Sequence, residues 1–304
     1  MEYVLSTENL SKHYKYFKAL DSLTMHVEKG SIYGFVGRNG AGKTTLIRLI
    51  CGLQKPTFGQ YTLYGIKNTS GDVIQARRRM GAVVEVPSIY QNMTAEENIR
   101  QQYMILGRPS FDGVRELLEL VGLSDTGRKK ARNFSLGMRQ RLGIAMALAG
   151  DPDFLVLDEP VNGLDPQGIV EIRELILKLN RERQITVLIS SHILDELSRL
   201  ATHYGFIDNG RMIKEISASE LESACRKCTH LEVSAISVLT RTLDRMQLDY
   251  AVTSKQGADV YGDWNITDLT MSLAGENCKI LKLEARDESL ESYYINLMGG
   301  AHHE

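Results

Sequence analysis

Gly37-Arg38-Asn39-Gly40-Ala41-Gly42-Lys43-Thr44 gathers the residue types that hold a phosphate: glycines, a lysine and a hydroxyl in fixed spacing. The pattern G-x-x-x-x-G-K-[S/T] turns the backbone sharply, so that several N–H groups converge on one anion. Side chains at the glycine positions would block the phosphate or forbid the positive φ that the turn requires. Lys43 brings a point charge to the β- and γ-phosphates, and the Thr44 hydroxyl is suited to Mg²⁺. Ser31–Val36 reads as a buried strand entering the loop and Thr45–Ile50 as the helix leaving it. A nucleoside triphosphate is therefore the expected ligand.

A second group of chemical residues closes the segment Asp153-Phe154-Leu155-Val156-Leu157-Asp158-Glu159-Pro160. Its apolar run predicts a central strand buried on both faces, with two carboxylates at the C-terminal end, where ligands of open parallel sheets collect. Asp158 can enter a Mg²⁺ shell, and Glu159 can polarise an attacking water. Alone, the segment would read equally well as a strand capped by two solvated acids.

It lies among others in a fixed order. Upstream is Asn133-Phe134-Ser135-Leu136-Gly137-Met138-Arg139-Gln140, and downstream are Asn162-Gly163-Leu164-Asp165 and Ser190-Ser191-His192. With these segments the chain resembles the ATP-binding-cassette ATPases over roughly residues 3 to 216. That resemblance implies an α/β P-loop nucleotide-binding domain over residues 1–216, with a helical subdomain at about 86–150. It implies ATP and Mg²⁺ as ligands, and a second copy of the chain closing head to tail over two ATP molecules. Gly37, Asn39, Gly40, Ala41, Gly42, Lys43, Thr44 and Thr45 would hold the phosphates, with Thr44 and Asp158 on the metal. Ser135 and Gly137 of the second copy would complete the γ-phosphate cage. Tyr14 would stack on adenine, Glu159 would act as general base, His192 would sense the γ-phosphate, and Asp165 would communicate across the dimer.

One position departs from the family pattern. Glu85, in Arg79-Met80-Gly81-Ala82-Val83-Val84-Glu85-Val86-Pro87, stands where these proteins carry a glutamine that touches Mg²⁺ and the water. An ionised glutamate only accepts hydrogen bonds, so it would bind the metal more strongly and repel the γ-phosphate. Together with Ser-Leu-Gly-Met in the signature, this acid resembles the bacitracin-resistance and lantibiotic-immunity exporter subgroup. The resemblance implies peptide-antibiotic export, separate transmembrane permease chains, and a place peripheral to the membrane at its cytoplasmic face. Another transporter ATPase remains an alternative reading. So does a soluble, non-transport cassette, although such chains usually carry two cassettes or a long coiled coil.

The elements that must position these residues are partly legible. Thr94-Ala95-Glu96-Glu97 is a capping box opening a helix through Ile105, and Phe111 to Val121 reads as a second helix. Pro87, Ser88, Ile89 and Tyr90 occupy the place where family members receive a permease helix. The clusters Arg77-Arg78-Arg79 and Lys129-Lys130 read as solvated helix faces. Residues 217–304 add strands at Leu231-Val233, Tyr250-Val252, Asp259-Tyr261 and Ile280-Leu283. Helices are expected at Ile236 to Met246, Ile266 to Ala274 and Ser289 to Met298, so that a small α+β, ferredoxin-like domain is predicted.

Composition sets the outer bounds. The chain has 304 residues, 43% of them hydrophobic, and a net charge of −2, which gives no electrostatic reason for a nucleic-acid partner. No apolar run reaches membrane-spanning length and no signal segment opens the chain. The four cysteines, at 51, 225, 228 and 278, suit reduced cytosolic thiols better than a metal or redox centre.

Overall fold

The computed structural model describes residues 2–224 and 228–286, with Tyr293, Tyr294 and Leu297. The chain divides into two compact units, Met1–Ala218 and Ser219–Glu304. The first begins with a long hairpin of β1 (Tyr3–Tyr14) and β2 (Phe17–Glu28). Strand β3 (Ile32–Val36) runs into the phosphate loop, and helix α1 (Lys43–Ile50) leaves it. Next, β4 (Phe58–Leu63) and β5 (Ile66–Lys67) extend the hairpin into an antiparallel sheet of order β2-β1-β4-β5. Helix α2 (Val73–Arg78) leads to β6 (Met80–Val83), followed by the helical stretch α3 (Ala95–Ile105), α4 (Gly113–Leu120) and α5 (Leu136–Leu148). Strand β7 (Phe154–Asp158), α6 (Pro166–Arg183), β8 (Thr186–Ser191), α7 (Leu194–Ser198), β9 (His203–Asp208) and β10 (Arg211–Ser217) complete the unit.

Every residue of β3, β7 and β8 is buried, as the continuous apolar runs in β3 and β7 require. These strands are the centre of a six-stranded sheet, order β10-β9-β3-β8-β7-β6, parallel except at the β10 edge. Its register sets the chemistry: Val36 lies beside Ser191, and Asp158 beside Ser190. The antiparallel sheet packs onto the same core, with Leu5, Leu23, Met25 and Tyr61 against Phe35, Ile47 and Phe154. Tyr33 crosses that core to donate a 2.6 Å hydrogen bond to Glu215, and burial together with this carboxylate pushes its phenol well above the usual range.

Local sequence signals behave as their chemistry dictates, with two corrections. Thr94 and Glu97 form both bonds of the capping box, at 3.1 and 2.7 Å, and start α3 at Ala95. The second helix, expected from Phe111, starts at Gly113, because Ser110 and Asp112 bond each other in a turn. Phe111 stacks instead on Tyr103 at 6.4 Å. The arginine run is only partly solvated. Arg77 donates to the Ile50 carbonyl at 3.1 Å and to the Tyr61 hydroxyl at 2.5 Å. Arg79 pairs with Asp153 and lies 3.7 Å over the Tyr64 ring, yet its side chain stays 51% exposed, so Arg78 and Arg79 are both solvated as expected.

The second unit opens with α8 (Ala218–Ala224), begun one residue before the division, followed by β11 (Cys228–Val233) and α9 (Ile236–Arg245). Then come β12 (Tyr250–Val252), β13 (Gly257–Tyr261), α10 (Ile266–Gly275) and β14 (Ile280–Arg286). The sheet order is β12-β13-β11-β14, antiparallel throughout. Leu231, Val233 and Val260 bury against Leu239, Leu243, Leu269 and Leu273 of the two helices, with Trp264 packed at the edge. The helix expected over Ser289 to Met298 and the thiol of Cys225 lie outside the described residues.

Gly81 on β6 lies so close to α5 that a Cβ there would stand 2.3 Å from the Ala147 carbonyl oxygen. Backbone cannot retreat as a side chain can. Gly81→Ala should destabilise the first unit by about 1–3 kcal/mol, read as a lower midpoint in denaturant unfolding.

Candidate functional site

The phosphate loop is shaped by its surroundings as much as by its own turn. Gly42 has φ of 112°, and a Cβ there would meet the Ala19 carbonyl oxygen at 2.5 Å. A Cβ on Gly37 would meet the Ile207 carbonyl oxygen at 2.6 Å, whereas Gly40 is open and is required only by its φ of 84°. Helix α1 has no side-chain cap and no acid in its first turn, so its leading N–H groups and positive dipole end are left for an anion. Thr44 and Thr45 sit half-buried in that turn. The Lys43 side chain is only 6% exposed; its ammonium donates to the Gly37 carbonyl at 2.6 Å and the Arg38 carbonyl at 3.2 Å.

Across the strand edge, Glu159 stands between Lys43 and His192. Its Oε1 is 3.2 Å from the Lys43 ammonium, an ion pair without hydrogen-bond geometry, and that oxygen has no hydrogen-bond partner. Its Oε2 is 2.8 Å from His192 Nδ1. Glu159 reaches this position through a left-handed φ of 50° directly after β7, a strain of the kind that accumulates at functional sites. Ser190 holds both acids: its Oγ donates to Asp158 Oδ1 at 2.6 Å and accepts from the Glu159 amide at 3.0 Å. Ser191 fixes the turn around His192 by accepting from the Ile193 amide at 2.9 Å. The second Asp158 oxygen, Oδ2, is buried and has no hydrogen-bond partner. A buried, unsatisfied carboxylate oxygen beside a threonine-bearing phosphate loop fits a hard, oxygen-seeking cation such as Mg²⁺.

The other expected residues stand apart from this centre. Ser135 caps α5, accepting from the Met138 amide at 3.2 Å, and Asp165 caps α6, accepting from the Gly168 amide at 3.1 Å. The two segments touch each other: Leu136 lies 3.3 Å from the Cβ position of Gly163, and Leu164 3.8 Å from that of Gly137. Tyr14, at the end of β1, donates to the Gln54 side-chain oxygen, with the Lys12 ammonium 5.2 Å from its ring centre. Glu85 has a φ of 58° and pairs with Arg48 on α1 at 2.7 Å; among the described residues no hydrogen bond or ion pair joins it to Thr44 or Asp158. Cys51, at the end of α1, is half-buried, and burial pushes its thiol up to about 12.

Sequence reasoning missed Ser190 and Arg48. Ser190 could have been found only from strand register, which sets a hydroxyl on β8 beside Asp158 on β7. Arg48 gives no sequence signal beyond being a cation in the last turn of a helix.

A glycine-cradled anion site at a helix start, two carboxylates at the end of a strand two places along the sheet and a histidine just past the strand between define a P-loop nucleotide hydrolase. The chain belongs to the ABC transporter family and is an ATPase of that family. The family model for ABC transporters matches residues 20–162. The bacitracin transport ATP-binding protein BcrA of Bacillus licheniformis is 42% identical, over 99% of this chain and 99% of its own. The lantibiotic transport ATP-binding protein SrtF of Streptococcus pyogenes is 40% identical, over 71% of this chain and 93% of its own. An ATP-binding cassette solved as a dimer in a post-hydrolysis state with ADP and Pi aligns with a TM-score of 0.64 at 26% identity, covering 70% of this chain and 98% of that one.

Ser190→Ala should free both acids while leaving the phosphate loop intact. ATP turnover, followed as phosphate release, is expected to fall about tenfold or more, since small displacements of catalytic groups cost that much.

Proposed function

We propose that this ATPase powers export of a membrane-active peptide antibiotic of the bacitracin or lantibiotic type. It would do so as a pair of copies bound to separate permease chains at the cytoplasmic face of the membrane. The observation that carries the reading is the correspondence with BcrA along 99% of both chains, which includes the C-terminal unit. The match to SrtF covers 71% of this chain. No helix among the described residues is long and apolar enough to cross a membrane, in keeping with a permease on separate chains.

The chemistry follows from the charges at the strand edge. Gly37, Asn39, Gly40, Ala41, Gly42, Lys43, Thr44 and Thr45 receive the triphosphate, and Tyr14 takes the adenine ring. Thr44 and Asp158 would hold Mg²⁺, which supplies charge neutralisation on the phosphate oxygens when bound. An arriving γ-phosphate takes the Lys43 ammonium and releases Glu159 Oε1 to orient the attacking water. His192, already 2.8 Å from Glu159, aligns that carboxylate and contacts the γ-phosphate. Rate acceleration then comes from positioning and electrostatic stabilisation of a loose phosphoryl transition state. Glu85 enters the metal site only by giving up Arg48.

The second copy supplies what one copy lacks. Ser135 and the start of α5 are exposed and carry no acid in the first turn, an open anion site aimed outward. Ser135 and Gly137 of the second copy would close on the γ-phosphate, with Asp165 at the seam. Permease docking falls to the cleft of about 990 Å³ that Val86, Pro87 and Ser88 share with Leu53, Ile74 and Ile105. Pro87 is seated there on Gly143 of α5, where a Cβ would come within 2.6 Å of its ring. The backbone of Tyr90 is tied on both sides to buried Asn98. We read residues 217–304 as a ferredoxin-like accessory domain, supported by the element order βαββαβ and the sheet order β12-β13-β11-β14.

Gly137 has room for a methyl group within its own chain, the nearest atom lying 3.8 Å from the Cβ position. Gly137→Ala should therefore leave the stability of the isolated chain within about 0.5 kcal/mol, yet abolish turnover by obstructing the second copy's nucleotide. Unchanged turnover would remove the head-to-tail sandwich. For transport, the native host carrying Glu159→Gln should lose tolerance to bacitracin or to a lantibiotic. Unaltered tolerance to all of them would return the substrate to another class.

A further inference from the structure

Two helices leave the site, α6 from Asp165 and α7 two residues after His192. Arg173 lies about 12 Å along α6 from its cap, at the usual rise per residue. It faces Glu196 of α7: the guanidinium Nη1 is 3.6 Å from Glu196 Oε2, and the side chains are 16% and 21% exposed. That carboxylate oxygen is buried and has no hydrogen-bond partner. Between the two helices is a void of about 10 Å³, lined by Val161, Ser191, Leu197 and Leu200 besides the ion pair. Val161 follows Glu159 by two residues, and Ser191 is the hydroxyl that shapes the turn at His192.

We infer that Arg173 and Glu196 are a positioning pair, which sets Glu159 and His192 against the nucleotide by fixing α7 to α6. Burial of an incompletely paired carboxylate is costly, and aliphatic side chains would fill the same space with better packing. What the ions add is direction, because they tie one helix to a particular turn of the other. The 3.6 Å gap can also close. Drawing it in to about 2.8 Å, the length of a charge-assisted hydrogen bond, moves α7 toward α6 and carries Ser191 and His192 with it. The helix that starts at the dimer seam and the segment that contacts the γ-phosphate thus share one contact. Neither residue touches the reacting atoms.

This inference rests on the roles proposed above for Glu159 and His192. Its test is steady-state ATP hydrolysis by the full chain, with kcat, KM and the thermal midpoint measured together. Glu196→Gln and Arg173→Met should each lower kcat about tenfold, leaving KM for ATP within about twofold, because the phosphate loop is untouched. The double variant should be no slower than either single one, as partners in one interaction require. Arg173→Lys, which keeps the charge, should restore at least about half of the lost rate. Singles that hydrolyse within about twofold of wild type would overturn the inference, as would a lower kcat that comes with a raised KM and a lowered thermal midpoint. Glu159→Gln distinguishes the two levels. If it turns over normally, the catalytic reading itself fails; if it is inactive beside unimpaired Arg173 and Glu196 variants, only the positioning pair fails.

Discussion

Strands β3, β8 and β7 lie parallel with their carboxyl ends level, and the chemistry of the chain depends on that register. Val36 beside Ser191 and Asp158 beside Ser190 place a phosphate loop, two acids and a histidine along one edge. Because the strands are buried on both faces, a slip by one residue would exchange every side chain between the two layers. The register is thus held by the whole core, from Phe35 and Phe154 to the antiparallel sheet that covers them. Function and stability use the same constraint.

Charge is arranged along the edge so that a triphosphate completes it. Lys43 is nearly buried and is satisfied by carbonyl oxygens of its own loop and by Glu159. Two oxygens at this edge are left without hydrogen-bond partners, Glu159 Oε1 and Asp158 Oδ2. Unsatisfied buried acceptors of this kind are rare in proteins because each one costs stability. Under the function proposed above, nucleotide and metal would recover that cost on binding. Ser190 keeps the two acids from relaxing toward other donors.

Where expectation and structure parted, long-range partners decided. Glu85, expected at the metal from its place in the loop, is paired here with Arg48 at 2.7 Å, a partner its neighbours in sequence do not announce. Arg77 reads as solvated, yet the Ile50 carbonyl and the Tyr61 hydroxyl hold it half-buried. Helix starts followed local rules instead: the capping box began α3 where it should, and a Ser-Asp turn moved α4 by two residues. In the C-terminal unit, alternation and apolar spacing marked the four strands and both helices between them to within a few residues.

The sequence by itself determined the parts that short-range physics controls. A G-x-x-x-x-G-K-T turn, an apolar run ending in two acids and an N-capping serine before α5 carry their geometry within about ten residues. Their order along the chain is enough to mark a cassette ATPase. The tertiary structure alone decided which groups meet across that order. Ser190 serves the acids, Arg48 takes Glu85, and Arg173 faces Glu196, because strand register and helix packing bring together residues whose identities say nothing of each other. Hydrogen bonds and ion pairs reach only about 3–4 Å, so a contact between distant segments exists only once the core has fixed where each one lies.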